Sequence, residues 1–314
     1  MMHTYQTIIF PSIIAFLFTL IAIKFVFYYM PEIGIVGIDN NKKEPKVLPS
    51  SGGIAVAFGI TMGLLTYIFG SSYVFKAVID RNILLAISLS IVLIAFVGFL
   101  DDLNVKERKV KTTDMLDIRK GLPQWIKPIL TIVGAIPLIA ISAGNSTVHI
   151  PFIGAVSLGL FYNLIILPLA IIFSSNVINL LGGYDGLQAG MSAVAAAGFF
   201  LYSFLTNNYL GLFLSSIVLF SLIAFLLFNW YPAKLIPGDS LPYSIGAAFI
   251  AIMIVSNEES FGLIVFIPWF IEFFLHLRRK FKVTDIGKLR NDLTFEPPYG
   301  KKIYSLTHLI MNLK

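Results

Sequence analysis

The stretch FIGAVSLGLFYNLIILPLAIIFSSNVINLLGGYDGLQAGMSAVAAAGFFLYSFL, residues 152–205, decides the fold class. Two apolar runs flank a polar joint, NVINLLGGYDGLQAG at 176–190. Each run is close to the length of a bilayer crossing, which takes about 20 predominantly apolar residues. A connector needs only a few turn residues. This one holds Asn176, Asn179, Asp185 and the glycines 182, 183, 186 and 190. Amides, a carboxylate and a backbone that permits close approach are gathered at one joint between apolar helices.

The pattern recurs along the chain. Apolar segments fall at about 7–29, 52–70, 82–100, 127–143, 156–175, 188–206, 210–228, 243–256, 261–276 and 303–313. Hydrophobic residues make up 57% of the 314 and charged ones 13%. A soluble domain is about half apolar and a quarter charged. A chain in lipid must satisfy its backbone internally. The expectation is an all-α integral membrane protein of about ten transmembrane helices, a single multi-pass domain over 1–314. The first segment is longer than a signal-peptide core and no small-residue cleavage site follows it, so it reads as a retained span.

Composition removes several chemistries. There is no cysteine, which excludes disulfides and thiolate metal sites. His3, His149, His276 and His308 are scattered, against a zinc cluster. Walker, GxGxxG, GxSxG and HExxH motifs are absent. The net charge of +6 does not point to nucleic acid. In a membrane chain it reflects cytoplasmic loops.

Lys and Arg set the orientation. If the first span runs outside to inside, the inner loops are 30–51, 101–126, 176–187, 229–242 and 277–302. Lys76, Arg81 and Lys314 fall on the other side, and Lys24 lies near the inner end of span one. The rest of the 23 basic residues lie in the inner loops or, for Lys127, at the edge of one. The positive-inside rule then puts the termini outside and the polar joints in the cytoplasm. Nearly all the acids are on that face too, whereas a transporter should carry charge deep within its spans. Glu272 is the main exception, near an inner end.

Asp101 and Asp102 end the third span. A helix C-terminus is negative, so two carboxylates there call for a compensating cation. Asp185 has a plain alternative as a helix cap with Gln188 three residues on, and Asn179 as an interhelical hydrogen bonder. Asp239, after Pro237-Gly238, has the N-cap alternative. Arg278 and Arg279 directly follow a span, where a positive-inside anchor competes with phosphate recognition. Lys127 opens an otherwise apolar segment, and Lys42, Lys43 and Lys46 lie in a turn-rich loop. Carboxylates and amides without His or Cys favour a hard cation, Mg²⁺ or Mn²⁺. With arginines, a hard cation suits a diphosphate. The chemistry that unites these parts is phosphoryl transfer from a soluble nucleotide-activated donor to a lipid phosphate.

GFLDD, NVINLLGGYDGLQAG and LFNWYPAKLIPGDS occur in an order and spacing that resembles the polyprenyl-phosphate N-acetylhexosamine-1-phosphate transferase family. LFNWYPAKLIPGD and the outer GNSTVHIPF look most like its dolichyl-phosphate branch of archaea and eukaryotes. The resemblance implies that Asn179 and Asp239 hold Mg²⁺ and that Asp101 and Asp102 lie near the lipid phosphate. It makes Lys127 a phosphate-side lysine. Gly182, Gly183 and Asp185 then serve the uridine nucleotide, Arg278 and Arg279 the phosphate and sugar, and Asn176 is a further substrate-binding candidate. The implied reaction is UDP-GlcNAc plus dolichyl (polyprenyl) phosphate giving GlcNAc-diphosphodolichol and UMP, the first step of lipid-linked oligosaccharide assembly. It takes place in a lipid membrane, without nucleic acid, and a homodimer is compatible with it. Lack of cysteine and compact loops lean to an archaeal cell membrane, with the endoplasmic reticulum as alternative. Competing readings are the same chemistry with another UDP-HexNAc or with undecaprenyl phosphate, or a transporter of nucleotide sugars.

Overall fold

In the computed structural model of the chain, residues 2–39, 42–103, 105–109, 116–119, 122–123, 125–150 and 154–313 are described. Helices dominate: α1 (Met2–Glu32), α2 (Gly53–Tyr73), α3 (Arg81–Asp102), α4 (Ile126–Thr131), α5 (Ile136–Ala140), α6 (Leu167–Leu180), α7 (Leu187–Leu205), α8 (Tyr209–Asn229), α9 (Ser240–Val255), α10 (Glu259–Val265), α11 (Ile267–Leu277) and α12 (Leu306–Asn312). Among the described residues, six helical stretches are long and apolar enough to cross a membrane, and α10 with α11, bent by 56°, makes a seventh if the pair is one broken span. Two shorter apolar helices cover Ile126–Ala140 and Ser240–Val255.

Two expectations change. The segment expected as a tenth crossing, 303–313, forms the seven-residue α12. Seven residues rise only about 10 Å, far short of a bilayer core. The loops are not all irregular either: β1 (Val36–Asp39) pairs with β2 (Lys46–Pro49), and three more antiparallel hairpins follow among the described residues, so the chain is mostly helical rather than all-α. Open hairpins are compatible with a membrane protein outside the hydrocarbon region.

At the centre is α9, where every residue from Ser240 to Ile254 is buried. It packs against α2, α3, α6 and α8. Small residues make that contact close. A Cβ on Gly98 of α3 would lie 2.5 Å from Ser240 Cα, and one on Gly246 would lie 2.6 Å from Ser175 Cα. Lipid offers no hydrophobic drive between helices, so close backbone packing and buried hydroxyl bonds hold the bundle. Ser12 Oγ donates to Ser216 Oγ at 2.9 Å and ties α1 to α8. Outward, α1 exposes Ile9, Phe10, Ile13, Leu17, Ile21 and Phe25, the apolar surface a bilayer solvates.

Helix ends are capped locally at one end of the bundle. Asp80 accepts from Asn82 N, and Asn208 from Gly211 N. At the opposite end the loops bind one another across the sequence. Gly52 N donates to Ile236 O at 3.0 Å, Gly53 N to Pro237 O at 2.8 Å, and Ile236 N to Pro49 O at 2.9 Å. That end carries the polar joints.

Candidate active site

The C-terminus of α3 meets the N-terminus of α9. Asp102 and Asp101 are each 2% exposed. Asp102 Oδ2 accepts from Ser51 Oγ at 2.7 Å, and Oδ1 accepts from the Asp239 N–H at 2.9 Å. Gly238, at φ +69°, lies so close that a Cβ there would run into Asp102 Oδ2. Asp101 accepts from the Leu122 N–H and pairs with Lys127 Nζ. The unfavourable carboxylates at this helix end are therefore answered by an ammonium, two backbone N–H groups and a hydroxyl.

Asp239 occupies the N-cap position of α9 but makes no side-chain capping bond. Its carboxylate turns into the cluster instead. Oδ1 accepts from Asn179 Nδ2 at 3.0 Å and Oδ2 from Lys127 Nζ at 2.9 Å. The side chains of Lys127 and Asp239 are each 20% exposed, against 0% for Asp101. Lys127 and Asp239 therefore face outward and can meet a ligand, while Asp101 and Asp102 back them from within. Tyr243, one turn into α9, is fully buried beside Asp239, Asp101 and Asp102.

The glycine joint lies alongside. α7 begins after Gly186, which is left-handed at φ 70° and makes no side-chain cap. The capping-box reading of Asp185 is thus overturned: Asp185 Oδ2 accepts from Ala233 N at 2.8 Å and lies 3.7 Å from Lys42 Nζ. Lys42 also pairs with Asp39 and donates to Ala233 O at 3.2 Å. Asp185 and Lys42 so tie the β1–β2 hairpin, the joint and the 229–238 loop together. Gln188 Nε2 points back, 3.3 Å from Ile178 O and 3.5 Å from Asn179 Oδ1.

Of the residues expected from sequence, Asp101, Asp102, Lys127, Asn179 and Asp239 form one connected cluster, with Gly182, Gly183 and Asp185 beside it. Asn176 stands apart. Its Nδ2 donates to Ile172 O at 2.7 Å and Thr131 Oγ1 at 3.2 Å, which joins α6 to α4. Arg278 and Arg279 also turn elsewhere. Arg279 lies over the rings of Tyr299 and Tyr304 at 4.8 and 5.0 Å, and Arg278 donates to Ile303 O at 3.3 Å.

Ser51 and Tyr184 were not singled out from sequence. Ser51 is fully buried at φ 64°, and only its place in the turn-rich PSSGG hinted at a special backbone. Tyr184 has its hydroxyl bound by the Gly287 N–H at 2.8 Å, and burial pushes it up to about 12. No local signal marks it.

The donor set fits a hard cation. Asp239 offers a partly exposed carboxylate. Among the described residues Asn179 Oδ1 meets only the long 3.5 Å approach of Gln188, while Nδ2 faces Asp239, so the amide turns over to present its oxygen to a cation held by that carboxylate. Oxygen donors of this kind suit Mg²⁺, and Mn²⁺ as a substitute.

Comparison with known proteins follows the same residues. A family model described as glycosyl transferase family 4 matches residues 84–257. A protein of Saccharolobus solfataricus, provisionally named UDP-N-acetylglucosamine–dolichyl-phosphate N-acetylglucosaminephosphotransferase, is 34% identical over 98% of this chain and 88% of its own length. The Dictyostelium discoideum enzyme of that name is 28% identical over 90% of this chain and 74% of its own. A phospho-N-acetylmuramoyl-pentapeptide-transferase of Halalkalibacterium halodurans is 30% identical over 69% of this chain and 63% of its own. The matched region runs from α3 to the end of α9 and contains the whole carboxylate cluster, and the chain belongs to glycosyl transferase family 4.

Proposed function

We propose that this chain transfers GlcNAc-1-phosphate from UDP-GlcNAc to dolichyl or another polyprenyl phosphate, releasing UMP. The observation that carries the reading is the outward pair Lys127 and Asp239, joined to Asn179 and backed by buried Asp101 and Asp102. The near full-length similarity to relatives named for this reaction supports it.

A lipid phosphate oxygen attacks the β-phosphorus of the donor. The new P–O bond forms as the bond from that phosphorus to the bridging oxygen breaks, and UMP departs with the electron pair. A phosphate monoester with second pKa about 6 is largely dianionic at neutral pH, so the nucleophile needs no strong base. Lys127 holds positive charge where the transferring phosphoryl group gains negative charge. Asp101 keeps Lys127 charged and aimed. Asp102, through the Asp239 N–H, sets the position of Asp239. Asp239 and Asn179 would hold Mg²⁺, which when bound neutralises the diphosphate and the leaving group. Gly182, Gly183 and Asp185 take the nucleotide side.

The site is placed on the cytoplasmic face, where the basic loops gather, of an archaeal-type cell membrane. The segments before α12 then make nine crossings, with α9 and the α4–α5 unit as short inner ones, so the N-terminus stays outside while the C-terminus, expected outside with it, moves to the cytoplasmic side.

The test uses purified protein in detergent with dolichyl phosphate, Mg²⁺ and UDP-GlcNAc, following UMP and the lipid by mass spectrometry. UMP with a GlcNAc-diphosphate lipid is the expected result. UMP only with another UDP-HexNAc keeps the mechanism and changes the sugar. No UMP from any donor, with folded protein, overturns the reading in favour of transport.

A further inference from the structure

Beyond the carboxylate cluster, a second polar network ties α11 to the segment that follows it. Glu272 is 0% exposed and His276 4% exposed, near the C-terminal end of α11. His276 Nε2 lies 2.9 Å from Glu272 Oε1 and 3.0 Å from Asp285 Oδ1. The other Glu272 oxygen accepts from Leu306 N at 2.8 Å. One buried glutamate thus anchors both the 284–287 segment, through His276, and the start of α12.

The segment is held from its other side as well. Asp285 O accepts from Thr307 Oγ1 at 3.0 Å. His308 lies between Tyr304 N, 3.2 Å from Nδ1, and Thr284 O, 2.9 Å from Nε2. Nδ1 must accept from that N–H, so the proton is on Nε2 and is donated to Thr284 O. Thr284 N in turn donates to Tyr299 Oη at 3.2 Å.

This held segment reaches the glycine joint. Tyr184 Oη accepts from Gly287 N at 2.8 Å and donates to Asp285 O at 3.3 Å. Its ring meets Phe295 edge-on at 5.1 Å. A Cβ on Gly183, at φ +89°, would lie 3.1 Å from Ile286 Cγ1. The backbone of the joint and the backbone of 284–287 are therefore one clasped unit, with Tyr184 as its pin.

We propose that Glu272, His276 and Asp285 form a latch that positions the 284–287 segment, and through Tyr184 the Gly182-Gly183 turn, for binding of the nucleotide-sugar donor. The proposal rests on the reading above that this turn serves the nucleotide. The latch residues are positioning residues and touch no substrate. The three ligand atoms lie within 4.8 Å of one another. Each already has a protein partner, and a proton shared from Nε2 closes the trio, which makes it a hydrogen-bonded latch rather than a cation site.

The latch acts by pre-organisation. A glycine turn has wide conformational freedom. A ligand that must order it loses affinity by the fraction of time the turn is out of place. Fixing it through two buried side chains removes that loss without any new contact to the ligand.

The test is a set of variants in the full-length protein. Tyr184→Phe deletes one oxygen and keeps the ring. It should raise KM for UDP-GlcNAc about tenfold, leave KM for the lipid phosphate unchanged and hold kcat within about twofold. His276→Ala should do the same, and His276→Gln, which keeps a donor, should recover part of the loss. The double variant should be no worse than the poorer single one, since both act through the same segment. Unchanged donor KM in folded Tyr184→Phe and His276→Ala proteins overturns the latch, and so does a loss confined to kcat. A second readout does not depend on turnover. Hydrogen exchange of the Gly287 amide should quicken about tenfold in both variants. If the wild type turns over no nucleotide sugar, the reading of function fails while the exchange data still decide the latch: unchanged Gly287 protection overturns it.

Discussion

The backbone N–H of Asp239 donates to Asp102 Oδ1 at 2.9 Å, a bond between residues 137 positions apart. It fixes the start of α9 on the end of α3. With Ser51 on its other oxygen, Asp102 is committed to this bracket.

Truncation of Asp102 should therefore act on stability first. Asp102→Ala leaves the Ser51 hydroxyl and the Asp239 N–H without this acceptor, at a cost of about 1–3 kcal/mol. Ser51→Ala removes one bond and should cost about 1 kcal/mol. Thermal unfolding in detergent checks both, and an Asp102→Ala protein as stable as wild type would remove the bracket.

Asp239 is the outward carboxylate. Asp239→Asn keeps shape and backbone but removes charge from the proposed cation site. UMP release should fall by at least about 100-fold, with the melting temperature nearly unchanged. Retained turnover with ordinary Mg²⁺ dependence would falsify the metal assignment.

Asn179 should set the metal requirement rather than the fold. Chelation of Mg²⁺ should stop turnover, and Mg²⁺ or Mn²⁺ should restore it. Asn179→Ala should raise the Mg²⁺ concentration for half-maximal rate about tenfold or more. A titration curve that overlays the wild type would sink this role.

Lys127 is the ammonium shared by Asp101 and Asp239. Lys127→Met leaves Asp101 buried with no cation, which should cost about 3 kcal/mol and abolish transfer. Arg at this position should not restore rate, because a planar fork does not replace a compact ammonium between two carboxylates. Comparison of kcat and melting temperature across Met, Arg and wild type separates the two effects.

Tyr184 gives a pH signature. Burial raises it to about 12 from 10. A raised folded value means the contribution to stability is complete below pH 10 and is lost as pH rises through about 12. The stability difference between wild type and Tyr184→Phe should be flat to about pH 10 and shrink above it. A difference that stays constant to pH 12 would contradict the buried, doubly bonded hydroxyl.

Much of the architecture was legible because its cause is local. Apolar runs near 20 residues, interrupted by glycine and asparagine joints, dictate helices in lipid whatever their neighbours. The failure at 303–313 is also physical, since a short apolar run reads the same whether it crosses lipid or packs on loops. Asp101, Lys127, Asn179 and Asp239 stood out because charge and amide groups are costly beside apolar spans and need a reason.

What the sequence by itself determined, then, is the chemistry available: oxygen donors, a lysine and flexible turns, with the basic residues gathered in the same loops. The tertiary structure decided the division of labour. Asp102 became a bracket, Asp185 a brace on Ala233, Arg278 and Arg279 partners of Tyr299 and Tyr304, and Tyr184 a pin on Gly287. Each of these roles depends on a hydrogen bond or ring contact between residues distant in the chain. Such a partner is set by how α3, α9 and the loops pack, which no local spacing encodes.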